Sequence, residues 1–253
     1  MSRRLAHIVR HPIKSIGWEE MAEVALSAGA VLPHDRRWAV AHEAAAFAGD
    51  PDGWQAKRNF VRGVAGPALM AVRAAFDEGA QRVRLDHPDR PALDIAPEDP
   101  ADSAQLVDWL APLWPETRPA AARLVTAGPE QALTDVSPPF VSLLSLASLR
   151  ALGGHVGKEL SVHRFRGNLW FDGGAPWEET GWIGREIIVG SARLRIEEPI
   201  TRCNATAVDP ATGTRDIDML SELKALTGKC DFGVYATVIE GGTARPGDEV
   251  TPI

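Results

Sequence analysis

Two cysteines stand in the 253-residue chain, and their surroundings differ. Cys203 lies in Pro199-Ile200-Thr201-Arg202-Cys203-Asn204, directly after a strongly patterned strand. A lone cysteine is most often a small buried hydrophobe. Two features point the other way: polar strand ends are where sites gather, and the adjacent Arg202 favours a thiolate if its side chain turns inward. A thiolate is both a nucleophile and a soft metal ligand. Cys230, at a helix end between Lys229 and Asp231, has weaker surroundings and reads as structural. Basic residues cluster at Lys14, at Arg36-Arg37, at Lys57-Arg58 with Arg62, and much further along at Arg164 and Arg166. Taken singly, such residues are most often solvated surface charges. Several sit in loops beside Pro, Ser, Asp or Asn, the composition of a pocket that holds a phosphate with guanidinium forks and backbone donors. Spacing alone does not bring them together.

The rest of the composition narrows the chemistry. Lys and Arg number 27 against 34 Asp and Glu, a net charge of −7, so nucleic acid and anionic membranes are not expected partners. Any working positive charge must be concentrated. Two cysteines cannot build a four-cysteine zinc site or iron–sulfur cluster, so a cluster that passes electrons would belong to a partner. The P-loop, the glycine-rich dinucleotide fingerprint, the G-x-S-x-G elbow and H-E-x-x-H are all missing. Gly153-Gly154-His155-Val156-Gly157 is glycine-rich but follows no strand, and reads as a helix stop plus loop. No run approaches the ~18 apolar residues of a membrane helix. Met1-Ser2-Arg3-Arg4 has a superficial twin-arginine look, but Arg10, His11, Pro12 and Lys14 interrupt the apolar stretch that should follow. A cytoplasmic protein without a transmembrane segment is expected.

The elements that must position these residues are mostly short strands. Leu5 to Val9, Val24 to Leu26 and Arg37 to Ala41 alternate as strands, and Ala68 to Phe76 with Arg82 to Leu85 flank a hairpin turn at Asp77-Glu78-Gly79. Asp86 to Pro100 is rich in Pro and Asp and predicts a break. Leu106, Val107, Leu110, Leu113 and Trp114 then recur at helical spacing behind Asp102 and Ser103 as caps. Pro115 to Pro129 reads as a connector, and a short helix starts near Ser142 or Ser145 and stops at Gly153-Gly154. The second half returns to strands: Asn168 to Phe171, a hairpin of Glu186 to Val189 and Ala192 to Ile196 around Gly190-Ser191, and Val234 to Ile239. A third helix spans Asp218 to Leu226 before Gly228. Many short strands and few helices predict an α+β, β-rich fold with a sheet or barrel core. At 253 residues the chain is one large or two small domains on a prior of about 150 residues each.

The residues also resemble a known family. His11-Pro12-Ile13-Lys14-Ser15 is similar to the (Y/H)-P-(I/V)-K-S entry motif of the MOSC N-terminal domain, and Asp35-Arg36-Arg37-Trp38 to the D-R-x-(W/F) that follows it. Ser145-Leu146-Ala147-Ser148-Leu149 resembles S-x-A-S-L, and Phe165-Arg166-Gly167-Asn168 resembles F-R-P-N. Thr201-Arg202-Cys203 with Thr206-Ala207-Val208-Asp209-Pro210 resembles the MOSC signature R-C-x-x-(T/P)-x-V-D-P. Phe232-Gly233-Val234-Tyr235-Ala236 and the closing Gly242-Thr243 with Arg245, Gly247 and Asp248 fit as well, in order over nearly the whole chain.

That resemblance implies a MOSC-like β-barrel (residues 121–253) with a smaller mixed α/β N-terminal substructure (1–120), enclosing a molybdenum cofactor. It resembles the branch of the amidoxime-reducing component and its bacterial relatives, which reduce N-hydroxylated compounds. The matching positions make Cys203 the molybdenum ligand, Lys14, Ser15, Arg36, Arg37, Ser145, Arg166, Asn168 and Thr206 the cofactor-binding set, and Asp135 a catalytic residue on the substrate side. Three positions depart from the pattern: Ile16 where relatives often carry Cys, Gly167 in place of the usual Pro, and Ala207 in place of a frequent Thr. Bacterial relatives often append a ferredoxin domain that this sequence lacks, which implies a separate electron-donor protein for a small-molecule substrate. Sulfur carriage, with Cys203 as a persulfide acceptor, and a non-catalytic binding module are the competing readings.

Overall fold

The computed structural model describes residues 2–128 and 131–253; Met1, where the N-terminal reading begins, and Pro129, the expected end of the connector, lie outside the described residues. The first part of the chain forms β1 (Arg4–Arg10), β2 (Glu19–Glu20), β3 (Val24–Leu26), β4 (Trp38–His42), β5 (Arg73–Asp77), β6 (Arg82–His87), β7 (Arg90–Ile95), helix α1 (Pro100–Leu110) and β8 (Ala121–Thr126). The second part forms β9 (Val141–Ser145), α2 (Leu146–Val156), β10 (Leu169–Asp172), β11 (Glu186–Val189), β12 (Ala192–Thr201), β13 (Val208–Asp209) and β14 (Thr214–Arg215). It closes with α3 (Met219–Thr227), β15 (Asp231–Glu240), β16 (Gly242–Ala244) and β17 (Val250–Pro252).

Eight strands make the main sheet, in the order β17-β11-β12-β15-β9-β10-β1-β2. β9 and β10 are parallel and the other pairs antiparallel. The sheet curls until Leu5 N donates to Asp248 O (2.8 Å) and Val250 N to Arg3 O (3.0 Å), joining β1 to the segment that leads into β17. Period-two alternation sends Leu194 and Ile196 of β12 and Val234, Ala236 and Val238 of β15 into one core with Leu5, Leu143, Phe171 and Ile187. Each Val, Leu, Ile or Phe side chain so buried stabilises the fold by ~1.5–3 kcal/mol. A second core forms where α1 lays Leu106, Trp109 and Leu110 on Trp38, Val40, Val83 and Leu85. β1 and β2 come from the first part of the chain yet stand in the main sheet.

The β-rich architecture expected from the sequence is present, with corrections in detail. The predicted break from Asp86 to Pro100 contains β7, which pairs with β6 as Val83↔Ile95 and Leu85↔Leu93. β7 is an edge strand, so Pro91 needs no ladder donor there. The expected connector contains β8, paired with β4 as Ala39↔Val125. The expected strand from Ala68 begins only at Arg73, because Pro67–Ala71 winds into a 3₁₀ turn started by its proline. α1 is capped by Asp99, whose carboxylate accepts from Ala101 N and Asp102 N, since Pro100 takes the first helical position. Asp102 and Ser103 instead tie the helix to its neighbours, accepting from Ala96 N (2.7 Å) and Leu124 N (3.0 Å). α2 runs through Gly153-Gly154 and ends at Gly157. Gly153 is a packing glycine, since a Cβ there would stand 2.8 Å from the Lys158 carbonyl oxygen. No helix among the described residues is long and apolar enough to cross a membrane.

Candidate functional site

β1 ends at Arg10, and past Pro12 the chain turns across the start of β4: Lys14 N donates to Trp38 O at 2.7 Å and Ile13 bridges Trp38. This holds the Lys14 side chain inside the protein, 2% exposed, with Nζ donating to Asp135 Oδ1 at 2.5 Å and lying 5.9 Å from the Phe60 ring centre. Burial pulls the Lys14 ammonium down to about 8; Asp135 opposes the shift, while Arg36 and Lys57 add to it. Lys57 Nζ stands 3.7 Å from the other Asp135 oxygen.

Arg36 and Arg166, 130 residues apart in the sequence, are brought together. Arg36 N donates to His11 O (2.7 Å), its Nη1 pairs with Asp35, and its Nη2 donates to Arg166 O (2.8 Å). Asp35 is buried and accepts from His11 N (2.8 Å), with His11 Nδ1 at 3.2 Å. Burial, then Arg166 and Arg36, hold His11 well below its ordinary pKa, so its neutral ring carries the proton toward Asp35. Burial alone would raise Asp35, but Arg36 and His11 outweigh it and keep the carboxyl well below its usual range. Arg166 closes the 3₁₀ turn Val162–Phe165. Its Nη1 and Nη2 are both shielded from solvent and have no partner among the described residues. Burial, then Arg36, push this guanidinium down to about 9 against the pull of Asp35 and Asp135. A buried cationic fork without an acceptor is unfavourable, and an anion relieves it.

Ser15, Arg36 and Arg166 share a further feature: all three hold left-handed backbone, at φ of 62°, 52° and 49°. For a residue other than glycine this costs roughly 1–2 kcal/mol, and such strain collects at functional sites.

Cys203 follows β12 and opens the 3₁₀ turn Asn204–Ala207. Its thiol is free and the residue exposed. Thr206 holds the turn, donating to Cys203 O from N (3.1 Å) and from Oγ1 (2.8 Å). The Arg202 side chain does turn inward, but onto carbonyl oxygens: Nε donates to Phe232 O (2.8 Å) and Nη1 to Phe165 O (2.8 Å). Burial lowers this guanidinium to about 10.

These pieces line one cavity of about 470 Å³, within the roughly 300–1,000 Å³ range of small-molecule sites. Of the residues singled out from the sequence, Lys14, Ser15, Arg36, Asp135, Arg166, Asn168, Thr206 and Cys203 border it, as do Lys57, Arg62 and Arg164. Asn168 spends its side chain on the fold, with Oδ1 accepting from Ser142 Oγ (2.8 Å) and Nδ2 donating to Val9 O (3.2 Å). Two expected binders are elsewhere. Arg37 points away from Arg36, lies 4.7 Å over the Trp38 ring, pairs with Glu98 and donates to Gln81 (3.2 Å). Ser145 is fully buried and caps α2, accepting from Ser148 N at 3.3 Å. Tyr235 and Phe140 also line the cavity, stacked at 5.3 Å, and sequence reasoning did not assign them. Register was the available signal: Val234 and Ala236 face the core, so Tyr235 between them faces the opposite side of the sheet.

A curled sheet with a cysteine at one strand end and a cationic cavity beside it defines the class. The chain belongs to the MOSC family: a MOSC N-terminal beta barrel domain matches residues 2–121 and a MOSC domain residues 138–251. Mitochondrial amidoxime-reducing component 1 of Mus musculus is 34% identical over 152 residues, covering 54% of this chain and 44% of that protein. A molybdenum cofactor sulfurase of Drosophila grimshawi is 32% identical over 109 residues, covering 43% of this chain and 14% of that protein. The chain thus spans less than half the length of these curated relatives. Among solved structures, the YUAD protein from Bacillus subtilis aligns at TM-score 0.46 and 11% identity over 100% of this chain and 96% of that one.

Proposed function

We propose that this chain binds a molybdenum cofactor and reduces N-hydroxylated small molecules with electrons from a separate donor protein. The observation that carries the reading is the buried, unpartnered Arg166 fork in the same cavity as the exposed Cys203. The donor set suits such a group: a soft thiolate for the metal, and Lys14, Arg36 and Arg166 for the anionic phosphate of its pterin. When bound, the cofactor supplies two-electron chemistry coupled to removal of oxygen from an N–OH group. The chain's own residues supply the rest. Ser15 offers a hydroxyl from a strained turn, while Asn168 and Thr206 hold backbone rather than ligand. Burial would raise Asp135, but Lys14, Lys57 and Arg36 bring it down to about 2, so it stays a carboxylate and orients the Lys14 ammonium. Lys14, near 8, is the better matched proton donor at neutral pH.

Sulfur transfer is the second reading, favoured by the exposure of Cys203, which a persulfide acceptor requires. Protein purified from a molybdopterin-producing host separates the two. The reductase reading expects about one molybdenum per chain, turnover of an amidoxime with an artificial electron donor, and no turnover in Cys203→Ala. Arg166→Gln should lower cofactor content about tenfold, as loss of a charge-assisted contact implies. Metal-free protein carrying a persulfide on Cys203 would establish the sulfur-transfer reading instead, and turnover retained in Cys203→Ala would end the first.

A further inference from the structure

Arg164 and Arg166 are two residues apart, yet their guanidinium groups have opposite fates. Arg164 is 2% exposed and bidentate to Asp216, Nη1 to Oδ1 at 2.8 Å and Nη2 to Oδ2 at 3.0 Å. Its Nη1 also donates to Thr206 O at 3.2 Å. Asp216 in turn donates from its backbone N to Ala207 O at 3.0 Å and pairs with Lys158 beyond the end of α2. Both partners therefore grip the turn that hangs from Cys203, and Thr206 closes that turn onto the Cys203 carbonyl. On the other flank, Arg202 ties the residue before Cys203 to Phe165 O and Phe232 O. The backbone of residues 164–166 is thus attached to the cysteine turn from both sides.

We propose that Arg164 and Asp216 are positioning residues: with Arg202 they make Arg164-Phe165-Arg166 a bracket that fixes the Cys203 sulfur relative to the Arg166 guanidinium. Arg164, with its charge matched by Asp216, is no anion ligand. A ligand that bridges a thiolate and a guanidinium is bound well only if their separation is set beforehand, and outer partners that orient a metal ligand do this. The inference rests on Cys203 being the working sulfur, which both readings above share.

The test uses full-length, metal-free protein in a Cys230→Ser background, where Cys203 is the remaining thiol. Arg164→Lys keeps the charge and loses the fork. It should speed amide exchange within residues 203–207 about tenfold and iodoacetamide alkylation of Cys203 at least about threefold, with exchange in β12 and β15 unchanged. Asp216→Asn keeps one acceptor oxygen and should fall between Arg164→Lys and the parent, which keeps the test open if the lysine variant folds poorly. Inorganic phosphate, as the anion probe, should slow Cys203 alkylation in the parent and lose that protection in Arg164→Lys, although Arg166 is intact. Unchanged exchange and alkylation in both variants would overturn the bracket, and so would faster exchange spread evenly through the chain. Failure of phosphate to bind the parent counts against the cofactor reading alone, because the exchange and basal alkylation arms decide the bracket without it.

Discussion

Lys14→Met should make the cofactor-free protein more stable, in a way that reports what the lysine is for. The ammonium is nearly solvent-free and its pKa falls from 10.5 to about 8. At ~1.4 kcal/mol per unit, holding that charge costs the fold about 3 kcal/mol at neutral pH. The sign follows from proton counting. Below about 8 the lysine is charged folded and unfolded, and the full cost is present. Between about 8 and 10.5 the folded protein has released the proton that the unfolded chain still holds, so stability rises with pH. Methionine keeps the stem that packs near Phe60 and carries no charge. Asp135, half-exposed and still near Lys57, is not stranded by the change.

Urea denaturation of both proteins at pH 7, 8, 9 and 10 reads the effect. The variant should be ahead by about 3 kcal/mol at pH 7, with the gap closing as pH rises toward the ordinary lysine value. Every other titrating group is common to both proteins, so the difference isolates Lys14. Parallel curves across this window, or a variant less stable at pH 7, would refute the reasoning. A site that lowers stability when empty fits the trade-off between stability and function.

Two further outcomes test the frame around the site. Glu179 is fully buried with the Ser148 hydroxyl as its side-chain partner, and burial raises it from 4.5 to about 7. This carboxyl stays protonated in the fold while the unfolded chain ionises, so stability should drain between about 4.5 and 7, by about 3 kcal/mol in all. Glu179→Gln should remove that slope in pH-dependent denaturation, and an unchanged slope would sink the assignment. Gly167→Ala should destabilise by ~1–3 kcal/mol, because a Cβ there would lie 2.1 Å from Leu144 Cδ1. In a Leu144→Ala background the same change should be nearly free, and an equal cost in both backgrounds would disprove the clash.

Where one face of a strand is buried, the sequence states it. The Glu186–Val189 and Ala192–Thr201 hairpin alternates cleanly around Gly190-Ser191, and α3 is bounded by its Asp218 cap and Gly228. Val141–Ser145 carries no such signal because all five residues are buried, so its strand character was hidden beside the helix it leads into. β7 and β8 were concealed for another reason: Pro91 and a weakly alternating run look like breaks until a partner strand supplies the ladder. The motif residues Lys14, Ser15, Arg36, Arg166 and Cys203 were legible one by one, but their meeting was not. It depends on β1, β4 and the main sheet stacking ends that lie about 190 residues apart in the chain, a distance no local pattern spans.

The same gap explains why composition misjudged the individual arginines. Arg36, Arg37, Arg164, Arg166 and Arg202 are one residue type, and the fold gives them four different fates. Two are neutralised by carboxylates that arrive from elsewhere, Glu98 for Arg37 and Asp216 for Arg164. Arg202 is absorbed by carbonyl oxygens, and Arg36 is shared between Asp35 and the Arg166 carbonyl. Among these five, Arg166 alone keeps both terminal nitrogens buried and unclaimed. What distinguishes a ligand-binding cation is therefore the partner it lacks, a property of the folded neighbourhood that no residue carries in its own sequence context.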